Sequence, residues 1–435
     1  MKGPSATEIA RRIEARIGNG ALQAGDRIPS VRDHAIELQV SPTTVAAAYR
    51  RLRERGLVLG RGRQGTRVAP RPSTEAGRVP AIPDTIIDAM SGNPDPAALP
   101  PIETALHDLQ PTVPARYGDP LIHPDLAAVA EAVLSVDGVN AEHFTVTSGS
   151  MHTIELIIST EQFRLGDRLA VEDPGHIPVH QIGRRAGMEL VPVTIDEEGM
   201  TPRSLGIALR SGVSAVVLTP RAQNPTGAAI SAERAAALSR ELADHPEVML
   251  IVDDHAGPVS GVESFAVAPP GPRWASIRSL GKSHGPDLRL ALVAGDHTTI
   301  DRIEVAVSTG PGWVSHLLQR VGARLLADDA TRHLVENAAS RYDRSRRRMI
   351  EMLARGGVEA TGRSGLNVWI PVHDEQAAIE AARGAGYAIR GGDPYRISSP
   401  AAVRATITML SDPQVDELAA ALVGHLTGAA ATPRM

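Results

Sequence analysis

The chain opens with three stretches in which apolar residues recur at helical spacing. Ile9, Ala10, Ile13 and Ile17 mark one face of a first helix, and Ser5-Ala-Thr-Glu8 before it is a capping box, where the hydroxyl takes an end N–H and the carboxylate reaches back. Gly18 and Gly20 end that helix. Pro29-Ser30-Val-Arg-Asp33 repeats the start signal for a second helix, running to about Gln39. Ser41-Pro42 then places a cap before Pro at the first helical position, where a missing N–H costs nothing, for a third helix running to Arg55. In that helix Val45, Ala48, Tyr49 and Leu52 fall at i, i+3, i+4 and i+7 and face a core. Thr43, Ala47 and Arg50, flanked by Thr44 and Arg51, therefore face outward. Two short strands, at 57–59 and 66–68, bracket a Gly-rich basic tip.

Residues 70–90 carry Pro70, Pro72, Pro80 and Pro83 and no apolar period, which predicts an extended linker between a head, 1–69, and a body, 91–435. In the body, β-branched runs near 144, 168, 189, 214, 248, 275 and 290 alternate with helical stretches. That alternation predicts an α/β fold with a mostly parallel seven-stranded sheet covered on both faces, and ligands gathered at the strand C-termini.

Composition sharpens this division. A chain of 435 residues exceeds the ~250–300 at which single cores stop growing, so more than one domain is expected. The absence of Cys excludes disulfides, thiolate metal sites and a thiol nucleophile. No apolar run reaches the roughly 18 residues of a membrane span and no signal-like start is seen, so a cytoplasmic protein is expected. The first 70 residues hold 13 Lys and Arg against 6 Asp and Glu, whereas the remainder holds 32 against 44. A basic head on an acidic body suits a polyanion at one end only, and double-stranded DNA is the expected partner. Small polar groups and Arg50 on the outward face of the third helix fit a major groove, and Arg61, Arg63 and Arg67 around the tip would lie along phosphates or the minor groove.

Lysine occurs only at Lys2 and Lys282, so Lys282 is a candidate for chemistry that needs a primary amine. Ser148-Gly149-Ser150 follows a strand and opens a helix, whose amides suit a phosphate. Val252-Asp253-Asp254-His255 closes another strand, where a carboxylate can keep a ring nitrogen protonated; paired Asp also suit Mg²⁺. Ser279-Leu-Gly-Lys282 is followed by Arg289. An amine, a phosphate cradle, an Arg and a buried Asp together suit pyridoxal 5′-phosphate (PLP) held as a Schiff base. A structural ion pair of Asp253 with Arg289 is the plainer alternative. The 15 His show no HExxH spacing, and no metal is expected.

Two resemblances carry these readings further. The segment GDRIPSVRDHAIELQVSPTTVAAAYRRLRERGLV with GRGRQGTRV resembles the winged helix-turn-helix head of GntR-type bacterial regulators, which makes Arg32, Thr44 and Arg50 candidate DNA contacts. Pro42 replaces an Arg usual in that family. The motifs SGNPDP, RYGDP, TSGS, VEDPGH, TPRAQNPTG, IVDDHAGP and SLGKSHGPDLRLAL resemble a fold-type I aminotransferase, with a large part at about 91–310 and a smaller C-terminal α+β part at about 311–435. Head, linker and body in this order resemble the MocR/PdxR subfamily of transcriptional regulators.

The resemblance implies Lys282 as the Schiff-base lysine, Asp253 on the pyridine nitrogen and Asn224 on the ring 3′-oxygen. It puts Gly149, Ser150, Ser279 and Arg289 on the phosphate, Tyr117 on a phosphate across a homodimer interface, and Arg396 on an effector or substrate carboxylate. His176 and His255 stand where tyrosines usually stack on the ring and donate to the 3′-oxygen, which implies a cofactor colour dependent on pH between 6 and 8. Leu290-Ala291 replaces the usual Leu-Gly after Arg289, and Met151 takes a place often held by Gln. The function expected is a DNA-binding regulator that senses PLP or an amine or amino-acid adduct of it. The alternatives are a working aminotransferase with a DNA-binding head, and a regulator that has lost PLP. The basic run Arg341 to Arg348 reads as a solvated helical face or a second DNA contact.

Overall fold

A computed structural model of the chain describes residues 4–18, 20–23, 25–54, 57–60, 66–68, 82–83, 85–110, 114–269 and 271–430, and these form two compact units. Arg61 and Arg63 lie outside the described residues.

In the head, α1 (Ala6–Gly18), α2 (Val31–Leu38) and α3 (Pro42–Glu54) begin at the predicted caps. Ser5 and Glu8 close the capping box, with Ser5 N to Glu8 Oε2 at 2.7 Å and Glu8 N to Ser5 Oγ at 3.4 Å. Ser30 Oγ accepts from Asp33 N at 3.1 Å, and Ser41 Oγ accepts from Thr44 N at 3.1 Å. Gln39 ends α2 in the left-handed region at φ 53°. Ile9, Ile13, Ile17, Val45, Ala48, Tyr49 and Leu52 meet in one core with Val58 and Val68 of the strands β1 (Val58–Gly60) and β2 (Thr66–Val68). Tyr49 buries its ring there and donates its hydroxyl to Pro29 O at 2.8 Å, so its polar end is satisfied. β1 and β2 pair antiparallel, Leu59 opposite Arg67, which makes the wing.

The body starts with the short β3 (Ile87–Asp88). Its large sheet comprises β4 (Phe144–Thr147), β5 (Arg168–Asp173), β6 (Glu189–Asp196), β7 (Gly199–Met200), β8 (Ala215–Leu218), β9 (Met249–Asp254), β10 (Trp274–Ser279) and β11 (Ala291–Gly295), in the order β4-β11-β10-β9-β8-β5-β6-β7. The seven strands read from the sequence are all present; the eighth, β7, is a two-residue hairpin partner of β6 that carries too little pattern to read. Pairing is parallel across β5, β8, β9 and β10, and β11 runs antiparallel to both β10 and β4. Every residue of β8 and β11 is buried, as continuous apolar runs in a doubly covered sheet require. Two clusters lie side by side on one face of the sheet, one around Leu205, Leu238 and Leu250, the other around Leu126, Leu292 and Val321, with Trp274 packed against both.

A smaller lobe is built on β12 (Asn367–Pro371), β14 (Arg390–Gly391) and β15 (Ala402–Thr406), with β13 (Tyr387–Ala388) pairing β3. Its core joins Val335, Tyr342, Met349 and Leu353 of the long helix Asp329–Arg355 to Val403, Leu418 and Leu422. The preceding helix, His316–Ala327, packs with the large-lobe cluster. The change of core therefore falls at Asp328 rather than near 311.

A buried four-charge network braces the sheet behind the site. Arg221 donates to both oxygens of Asp254, at 3.0 and 2.9 Å, and to Asp137 at 2.8 Å. Arg278 donates to Asp254 at 2.6 Å and also to Asp137. Burial alone would raise Asp254, but the Arg278 and Arg221 guanidinia override it and bring its carboxyl down to about 2.

Candidate cofactor and DNA sites

β4 delivers Ser148 and Gly149 to the start of the helix Ser150–Thr160, with Gly149 at φ 105° as its N-cap. Arg289, left-handed at φ 46°, lays its guanidinium across that start: Nη2 donates to Ser148 O at 2.9 Å, and a Cβ on Gly149 would stand 3.0 Å from Nη2. Free helix-end amides facing a guanidinium make an anion site. Ser279 closes β10, with Oγ accepting from Gly281 N at 3.1 Å.

Asp253, second from the end of β9, is 2% exposed, and its Oδ1 has no partner among the described residues. Burial pushes its carboxyl above the usual range, and the nearby His255 pulls it down. His255 Nδ1 lies 3.9 Å from Asp253 Oδ2. The rings of His176 and His255 are parallel within 9°, with centroids 6.3 Å apart. A flat ring between two others needs about 7 Å, twice the ~3.5 Å carbon contact distance, and the centroid separation comes within about an ångström of that. Asn224 Nδ2 donates to His176 Nδ1 at 3.0 Å, which leaves the His176 proton on Nε2.

Lys282 Nζ donates to Gly92 O at 2.6 Å. Burial, then the charge of Arg404, brings its amine down to about 8. A second tie holds the site loops: the buried Glu172 accepts from Thr219 N at 2.9 Å and from Gln223 Nε2 at 3.0 Å, and the same Nε2 donates to Pro174 O. Burial raises Glu172 to about 7.

The two candidate arginines divide differently from the sequence expectation. Arg396 is paired with Glu375 at 2.8 Å, lies 3.5 Å from Asp393, and donates to Ser399 O at 2.9 Å; its charge is already balanced. Arg404, which the sequence reading passed over, is 3% exposed and has no carboxylate within ion-pair distance among the described residues. It donates to Asn224 Oδ1 at 2.8 Å and to Met90 O, stacks over Tyr395 at 5.2 Å, and leaves Nε unpartnered. Tyr117 is 94% exposed, with its ring edge-on to Trp313 at 5.5 Å.

Both site histidines are shifted away from protonation. Burial and then the charges of His255, Lys282 and Arg404 hold His176 well below its ordinary value; burial lowers His255 as well, despite Asp253. Both shifts favour the neutral imidazole. Among the groups proposed to meet the cofactor, the amine of Lys282 is brought towards neutrality, to about 8. Because only the neutral amine attacks a carbonyl, the rate at which PLP is taken up is expected to rise about tenfold per pH unit below 8 and level off above it. Stopped-flow absorbance from pH 6 to 9 reads this; a rate maximal at pH 6 would contradict it.

In the head, Arg32, Thr43, Arg50 and Arg67 are exposed and Thr44 is half-buried. Thr44 Oγ1 is bonded to Ser41 Oγ at 2.8 Å, and Arg67 Nη1 donates to Gly25 O at 2.7 Å, which steers that side chain along the wing base. The body's basic run is largely neutralised: Arg341 bonds Asp95, Arg347 pairs with Asp343 at 2.9 Å, Arg348 with Asp416 at 2.6 Å, and the buried Arg346 donates to Gly362 O and Gly365 O. Arg344, Arg347 and Arg348 are exposed, so the run presents a solvated helical face whose charges are largely paired.

Comparisons with known proteins agree with this division. Residues 5–68 match the family of bacterial regulatory proteins of the gntR type, and residues 87–422 match aminotransferase class I and II. The vitamin B6 salvage pathway transcriptional repressor PtsJ of Salmonella typhimurium is 38% identical over 426 residues, 97% of this chain and 98% of that protein. The chain belongs to the MocR/PdxR-type regulators. Another relative of this type, the pyridoxine biosynthesis transcriptional regulator PdxR of Corynebacterium glutamicum, is 27% identical over 57% of this chain and 56% of its own. Among solved structures, kynurenine aminotransferase of Pyrococcus horikoshii superposes with a TM-score of 0.71 at 20% identity, covering 83% of this chain and 98% of that one, so the fold-type I body is shared. Aminotransferases of this class are built around PLP, the cofactor expected from the sequence. The MocR/PdxR-type chain is thus a transcriptional regulator with an aminotransferase-like body. No helix among its described residues is long and apolar enough to cross a membrane.

Proposed function

We propose that the chain regulates transcription of a vitamin B6 gene by binding DNA through its head and sensing PLP through its body. The observation that carries this is the setting of Lys282: a buried amine brought down to about 8, beside parallel imidazoles 6.3 Å apart, with the unpartnered Asp253 Oδ1 and the helix end under Arg289 in the same lobe. Asp253 offers a carboxylate to a pyridinium nitrogen, and Gly149, Ser150, Ser279 and Arg289 hold the phosphate. His176 and His255 lie on the two faces of the ring, so His255 acts through its face rather than as a 3′-oxygen donor. Asn224 serves the 3′-oxygen. When bound, PLP supplies an electrophilic aldehyde that Lys282 holds covalently as a Schiff base. Arg404, rather than Arg396, receives the carboxylate of an amino-acid effector, because it is the buried guanidinium without an acidic partner. The exposure of Tyr117 supports a site completed by a second copy, and two heads would then read two half-sites.

The test is a PLP titration followed by visible absorbance, with binding to DNA upstream of the chain's own gene measured by fluorescence anisotropy. Expected are a band near about 420 nm and a DNA affinity that falls with salt and changes with PLP. Arg50→Ala should weaken DNA binding by about 1–3 kcal/mol. Turnover of an amino acid with a keto acid, without DNA binding, would favour the aminotransferase reading instead.

A further inference from the structure

The residues that follow the Pro-rich linker reach directly into the site. β3 is pinned to the small lobe by Ile87 N to Gly386 O at 2.9 Å, Ala89 N to Ala388 O at 3.0 Å and Thr406 N to Ala89 O at 2.8 Å. Asn93 O is held by Thr408 Oγ1 at 2.6 Å. Between these anchors Asp88 Oδ1 accepts from Met90 N at 2.8 Å and Ser91 N at 2.9 Å, which folds a tight turn. The turn presents two carbonyls: Met90 O accepts from Arg404 Nη2, and Gly92 O accepts from Lys282 Nζ. Gly92 sits at φ 71°, and a Cβ there would lie 3.2 Å from Arg404 Nη2, so the turn is shaped to receive both cations. Lys282 follows β10 of the large lobe, whereas the turn belongs to the small one. Its amine therefore bridges the lobes.

We infer that the Met90–Gly92 turn is the output lever of the sensor, converting engagement of Lys282 into movement of the chain that leads to the head. This rests on the PLP reading above. The neutral Lys282 amine would form a C=N bond with the aldehyde carbon as the C=O bond breaks, the oxygen leaving as water with the two amine hydrogens. Nζ is then tied to the cofactor and leaves Gly92 O, which removes a contact between the lobes. A carboxylate on Arg404 competes with Met90 O and releases the second carbonyl. Both events act on one turn, which in sequence lies directly after the segment leading from the DNA-binding head. The signal is the loss of specific hydrogen bonds, the differential interaction that a population shift requires.

The probe pair is PLP and its alcohol analogue, pyridoxine 5′-phosphate, which fills the same slot without an aldehyde. PLP is expected to change DNA affinity about tenfold, a usual allosteric coupling, and the alcohol less than about twofold. Asp88 acts on Arg404 through its charge and is hydrogen-bonded to the turn's own amides, so Asp88→Ala should keep the absorbance band and the DNA affinity of the cofactor-free protein while its PLP response shrinks to about twofold or less. Hydrogen exchange of the wild-type peptide 86–95 should quicken about tenfold with PLP and stay unchanged with the alcohol. The exchange result decides the matter should Asp88→Ala fail to fold. A full response in Asp88→Ala with its band intact, or equal exchange in wild type with and without PLP, overturns the lever. Loss of the wild-type band overturns the cofactor reading itself, so the two failures are distinguishable.

Discussion

Lys282→Ala is expected to abolish the visible band near about 420 nm and to lower PLP affinity on the order of a hundredfold, about 2.7 kcal/mol. The chain has one other lysine, Lys2, far outside the body in sequence, so no neighbouring amine in the body can substitute. The protein should remain folded. Lys282 makes one hydrogen bond, to Gly92 O, and carries a charge that burial opposes, so the substitution removes a desolvated cation rather than a packed apolar group. An equilibrium titration with wild type alongside reads both quantities, and a persistent band in Lys282→Ala would remove the covalent assignment. The same variant should lose the PLP response of DNA binding while keeping DNA binding itself, since the head has its own core.

Two adjacent carboxylates should fail in opposite ways. Asp254→Ala leaves the buried guanidinia of Arg221 and Arg278 with one acidic partner, Asp137, and is expected to cost about 3–5 kcal/mol, read as a lower urea midpoint. Asp253→Asn should leave that midpoint unchanged or raised, because it relieves a buried carboxylate with an unpartnered oxygen, while PLP affinity falls about ten- to a hundredfold. Acid should expose the same difference. Asp254 is depressed from 3.8 to about 2, so its contribution is complete above the unfolded value and is lost as pH falls through about 2. Asp253 is raised, so its ionised form opposes folding and its protonation in mild acid relieves the strain. Equal midpoint losses in the two variants would refute the division of labour.

Much of this was legible in the residues themselves. Capping signals and helical periods drew the three helices of the head because local hydrogen bonding and one apolar face decide a short helix. The seven strands of the body could be read because a doubly covered sheet demands continuous apolar runs. Lys282 stood out by rarity, and Asp253 by its place at a strand end. The sequence reading chose Arg396 and passed over Arg404, eight residues on, which is the one proposed here for the carboxylate. Arg396 follows a short turn beside Glu375, while Arg404 lies in the middle of β15, paired in register with Trp369 on one side and Arg390 on the other. Residue type is the same; only the register and the company of a carboxylate differ. The face of His255 turned towards His176 and the two carbonyls of Met90 and Gly92 were likewise invisible, since a backbone oxygen has no letter in the sequence. The sequence by itself determined which groups are available and which elements carry them, because those follow from local periodicity and chemistry. The tertiary structure alone decided which charges are left unpaired at one point in space, because pairing depends on contacts between residues up to several hundred positions apart, such as Arg404 with Met90.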